Sequence, residues 1–156
     1  MGRWIGSMLA GLTVSLMQLV TVPVLVSVPV HASTCVRADF EAVVDEAAAA
    51  LRDLNLNNRP AFQEKLRNLK EMRGWSYDEF MKGAVPFVRD DKIEVYDQSS
   101  GELLDQISRL GQEGAEATKP DCALLEDLRS RMKKLVEILT AKWSYMFTKL
   151  EAELNK

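Results

Sequence analysis

The sequence predicts an all-α protein: a disulfide-stapled bundle of four to five helices with a long C-terminal helix, preceded by an N-terminal signal peptide. Three observations predict it. Apolar residues recur at steps of three and four along several long stretches, which puts them on one face of a helix. Three stretches open with Ser or Thr followed three residues later by Glu or Asp, a helix-start signature. The chain has two cysteines, Cys35 and Cys122, and each stands at the start of a periodic stretch.

The N-terminal segment differs from the rest. Arg3 is followed by a run without charge from Trp4 to Val30. Val30-His31-Ala32 then places small residues at the third and first positions before a cut. Basic start, apolar run and small residues together describe a secretory signal peptide, residues 1–32, cleaved after Ala32. Pro23 and Pro29 agree with cleavage. Because roughly 20 apolar residues can also span a bilayer, an uncleaved membrane anchor is the alternative. Residues 33–156 are read as a single helical-bundle domain, periplasmic or secreted. That domain keeps 19 basic against 23 acidic side chains, a net charge of −4. So mild a charge argues against nucleic acid as a partner, and a membrane is expected only if the N-terminal segment stays uncleaved.

In chain order, the first helix is expected from Thr34 to Leu54, with Val36, Phe40, Val43, Val44, Ala47, Leu51 and Leu54 on its apolar face. It should stop in Asn55-Leu56-Asn57-Asn58, and Pro60 should open a second helix that runs to Arg73 and ends at Gly74. Ser76 with Glu79 opens a short third helix, where Tyr77, Phe80 and Met81 supply apolar contact. Residues 83–98 read as an extended connection, since Gly83 and Pro86 break the helix and Ile93-Glu94-Val95-Tyr96 is β-prone. Phe87, Val88, Ile93 and Val95 are expected to pack. Ser99 with Glu102 should open a fourth helix ending at Gly111, followed by a loop from Gln112 to Lys119. Thr118 with Asp121, and Pro120 in the first turn, should open the last helix, Asp121 to Leu154. That helix carries Leu125, Leu128, Met132, Leu135, Leu139, Trp143, Met146, Leu150 and Leu154 at helical spacing.

In an exported chain the two cysteines are expected to pair. Closing a loop of roughly 90 residues restricts the unfolded chain by about 4–5 kcal/mol in the chain-entropy account. The bridge would hold the N-terminal ends of the first and last helices together, so the two run parallel. A first helix of about 30 Å and a last one of about 50 Å leave the end of the latter, from Trp143 onward, to project or to be covered by something else.

The chemistry is limited by what is missing. His31, the one histidine, leaves with the signal peptide, which removes imidazole catalysis and histidine metal sites. Bridged cysteines leave no thiolate, and no nucleotide-binding glycine motif occurs. Asp90, Asp91, Glu94 and Asp97 form an acidic group, but Tyr96 stands where a calcium loop ending its turn at Gly101 needs its first ligand. No catalytic residue, metal site or cofactor is therefore assigned. The expected role is an exported, non-catalytic helical protein that binds a protein partner or client through apolar helix faces. The candidate interaction surface is Trp143, Tyr145, Met146, Phe147 and Leu150, and a homodimer through the last helix is one form of partner. The alternative is a small-molecule binder or carboxylate-dependent enzyme with a site between helices.

Overall fold

The computed structural model describes residues 35–119 and 121–156. The expected signal peptide, and Pro120, lie outside the described residues. Five helices account for nearly all that is described: α1 (Arg37–Arg73), α2 (Tyr77–Gly83), α3 (Val85–Val88), α4 (Asp91–Glu116) and α5 (Cys122–Leu154). No strand occurs among the described residues.

The expected first and second helices are one. α1 passes through Asn55–Asn58 and carries Pro60 inside it. Asn costs a helix some tenths of a kcal/mol and an interior Pro about 3 kcal/mol. Against this, Phe62, Leu66 and Leu69 continue the buried face begun by Phe40, Val43 and Ala47. Burying each large apolar side chain contributes about 1.5–3 kcal/mol, so packing outweighs local preference. The Asn58 side chain donates to the Leu54 carbonyl at 2.7 Å. Gly74 ends the helix as expected, with φ +62° and its N–H on the Glu71 carbonyl. The Ser76–Glu79 box also forms: the Ser76 N–H donates to the Glu79 carboxylate at 2.8 Å, and the Glu79 N–H donates to the Ser76 hydroxyl.

Residues 83–98 are helical rather than extended, apart from Arg89 and Asp90, which are extended and join α3 to α4. Asp90 accepts from the Ile93 N–H at 2.8 Å and starts α4, with Asp91 and Glu94 in the first turn, where the helix dipole favours negative charge. Phe87 and Ile93 are buried as expected, while Val88 and Val95 are exposed. Ser99 and Glu102 therefore lie inside α4, as does Gly111, and the helix runs on through Gln112 to Glu116. Tertiary contact explains the extension. Gly114 meets the Phe40 ring so closely that a Cβ there would lie 2.6 Å from it. At the start of α5 the cap is Asp121, not Thr118 of the expected box: the Asp121 carboxylate accepts from the Ala123 N–H at 2.8 Å.

α5 is the central helix, packed along both α1 and α4, which meet each other over a short stretch only. Cys35 stands at Cys122, Phe62 at Trp143 and Phe147, and Lys65 at Glu151, so α1 and α5 run parallel. Asp90 meets Lys149, Asp97 meets Lys142 and Gln106 meets Arg131, so α4 runs antiparallel to both. The α2–α3 corner makes that reversal at the end of the bundle opposite the cysteines. Two apolar cores share α5. The first joins Phe40, Val43 and Ala47 to Ile107, Leu128 and Leu135. The second joins Phe62, Leu66 and Leu69 to Phe87, Ile93, Met146 and Leu150.

Candidate functional site

The cysteines come together as the sequence requires. Cys35 and Cys122 are at disulfide distance, with Cα atoms 5.4 Å apart, and the Cys35 N–H donates to Cys122 Sγ at 3.1 Å. Among the described residues no helix is long and apolar enough to cross a membrane, and no group of three His, Cys, Asp or Glu side chains could hold a metal ion.

The end of α5 does not project, because the prolonged α1 covers it. Met146 and Leu150 are fully in the second core, with no surface for a partner. Trp143 and Phe147 are half-buried and form a triangle of rings with Phe62, whose centroid lies 5.8 and 5.4 Å from theirs in edge-to-face geometry. Tyr145 points elsewhere and donates to Asp90 at 2.9 Å. Of the five residues proposed as a surface from the sequence, four thus serve the interior contact between α1 and α5, and the fifth serves a polar clasp.

That clasp ties the α3–α4 corner to α5. Asp90 accepts from Lys149, the Ile93 N–H and the Tyr145 hydroxyl, while Lys149 also donates to the Pro86 carbonyl. The Lys149 hydrogen bond, then that of Ile93, lowers the Asp90 carboxyl to about 2. The same carboxylate raises the Tyr145 hydroxyl above its ordinary value by accepting its hydrogen bond. The ammonium of Lys92 lies 4.3 Å from the Tyr145 ring centre, a favourable cation–π distance. Every member is bonded to another, so the group reads as a fastening.

Apolar side chains are left open in a row on the corner itself. Tyr77, Met81, Val85 and Val88 are 68%, 53%, 48% and 44% exposed. Ala84 is helical between α2 and α3, and its N–H bonds to the Phe80 carbonyl, so the four residues fall along one side of a nearly continuous helix. Phe80, Ala84 and Phe87 occupy the other side and pack inward. The sequence reading assigned Tyr77 and Met81 to apolar contact within the fold, and they face outward instead. The signal for this was a helix apolar on two faces at once, which Pro86 obscured.

Two shallow grooves lie along the first core. One, about 550 Å³, lies between α1 and α5: its floor is Val43, Ala47, Ala50, Met132 and Val136, with Glu46 on the α1 wall and Arg129, Lys133 and Glu137 on the α5 wall. The other, about 400 Å³, lies between α1 and α4 over Phe40 and Leu128. The chain matches no protein-family model, no curated protein and no solved structure.

Proposed function

We propose that this is an exported, non-catalytic helical protein that binds an apolar segment of a protein partner or client through the Tyr77–Met81–Val85–Val88 row. The observation that carries the reading is that row. Single exposed apolar residues are ordinary on a protein surface, but four successive ones along one helix face are a contact surface without an internal partner. Met and Tyr suit such a role, because one adapts its shape and the other adds a hydroxyl to a large apolar ring. Export is supported by the uncharged N-terminal run and by the cysteine pair, which agrees with an oxidising compartment. The role of binding rather than catalysis is supported by the sequence from Ser33 onward, which contains no histidine.

The test is binding of a permanently unfolded, S-alkylated model protein by light scattering and fluorescence anisotropy. The wild type should bind it and slow its aggregation. Met81→Asp with Val85→Asp should abolish both effects and leave the melting temperature unchanged, since neither side chain is buried. Equal binding by the variant removes the row from the account. The α1/α5 groove supports the alternative of a small-molecule site, since Arg129, Lys133, Glu46 and Glu137 converge on an apolar floor. It supports it less well, because Arg129 is paired with Glu126 and Glu137 with Lys134.

A further inference from the structure

We infer that the α1/α5 groove is the interface with a second copy of this chain, related by a two-fold axis that runs along the helices. The argument is one of complementarity. The two walls of the groove differ in charge and in size. Above a floor of buried Val43, Ala47 and Met132, the α1 wall carries Glu46 and the small Ala50; the α5 wall carries Arg129, Lys133 and Glu137 with the larger Val136, and Arg129 and Glu137 are paired within α5 with Glu126 and Lys134. Pairing of Cys35 with Cys122 and of Lys65 with Glu151 fixes the parallel register, and it sets Glu46 level with Lys133. Glu46 and Lys133 are both exposed, and neither makes an ion pair among the described residues.

A half-turn about an axis along the helices keeps heights and exchanges walls. Glu46 then meets the second copy's Lys133, and Lys133 meets the second copy's Glu46. The small wall faces the large one on both sides, as interdigitation requires. The other in-plane half-turn, with the axis across the helices, sets α1 against α1 and α5 against α5. With the axis at their level, Glu46 would then oppose Glu46 and Lys133 would oppose Lys133, and the small α1 walls would face each other. Both charge and volume therefore select the parallel pair, in which α1, α5 and their copies form a four-helix layer with α4 outside. The groove covers little more than two turns of each helix, so the dimer belongs with weak associations, dissociating at micromolar concentrations or above. In a parallel dimer both α2–α3 corners lie at the same end. If they bind an apolar segment as proposed above, the two act bivalently. The dimer itself does not depend on that reading.

The test is sedimentation equilibrium of the exported chain up to millimolar concentration, with zero-length carbodiimide crosslinking of a mixture of ¹⁴N- and ¹⁵N-labelled protein. Expected are a concentration-dependent dimer and a mixed-isotope crosslink between Glu46 and Lys133. Lys133→Glu alone should weaken association about tenfold, and Glu46→Lys with Lys133→Glu in the same chain should restore it. The antiparallel pair would gain nothing from that double exchange. A monomer at every concentration, a dimer crosslinked elsewhere, or a groove that takes small carboxylates without self-association each overturns the inference. Met81→Asp with Val85→Asp should dimerise as the wild type does, so failure of the corner as a binding surface and failure of the dimer are read separately.

Discussion

Asp90 does more than its place in the sequence announces. Its carboxylate caps α4, takes the Lys149 ammonium and accepts from Tyr145, joining α4 to α5 at one point. In an unfolded chain an aspartate titrates near 3.9, and here the folded value is about 2. Between those values the unfolded chain binds more protons than the folded one. The stability Asp90 contributes is thus complete above about pH 4 and is lost as the pH falls toward 2. Asp90→Asn isolates the charge, since Asn caps a helix about as well as Asp. The variant should melt below the wild type at neutral pH, and the two should converge near pH 2. Circular dichroism melts across that range check this, and equal melting temperatures at neutral pH would show that the charge contributes nothing. The sequence did show Asp90 amid acidic neighbours. Its capping role was hidden because Ile93, Val95 and Tyr96 are residues that strands also favour.

At the scale of elements, the boundary signals that held are those completed by short-range bonds. Gly74 and the Ser76–Glu79 pair both lie within a few residues of the groups they satisfy. The signals that failed were decided by contacts remote in sequence. α1 crosses Asn55–Pro60 because Phe62 and Leu69 have α5 to pack on, and α4 passes Gly111 because Gly114 has Phe40. The misplaced interaction surface has the same origin: once α1 is one helix, it covers Met146 and Leu150. Pro60 is then a local cost carried by distant packing. It leaves the Leu56 carbonyl without its helical donor, at a residue 64% exposed to solvent. Pro60→Ala should restore that bond and stabilise the protein by about 2 kcal/mol, less than the full helix penalty because the freed unfolded chain gains entropy. Urea denaturation measures the gain, and native-state hydrogen exchange should slow around Leu56. A loss of stability instead would mean that the bundle requires the proline at this point.

Over the whole molecule, the position of the cysteine pair follows from the topology. α1 and α5 are parallel neighbours, so no short turn can join their adjacent ends; the cysteines lie 87 residues apart in sequence. The far end has the α2–α3 corner, the Asp90 clasp and the Lys65–Glu151 and Arg73–Glu153 pairs to hold it. At the near end α1 and α5 have the first core and the cysteines. The bundle is thus fastened twice, by polar contacts at the corner and by the cysteine pair, at disulfide distance, where the two parallel helices begin. Closing so long a loop is worth about 4–5 kcal/mol in the chain-entropy account. Cys35→Ser with Cys122→Ser should lower stability on that scale, and unevenly along the chain. Amide exchange should quicken most at Phe40, Val43 and Ala47 and least at Leu66 and Leu69, whose core keeps the corner contacts. Hydrogen exchange followed by mass spectrometry reads both regions in one experiment. Uniform acceleration would mean that the two cores open as one unit, and that the bridge acts on the unfolded chain alone.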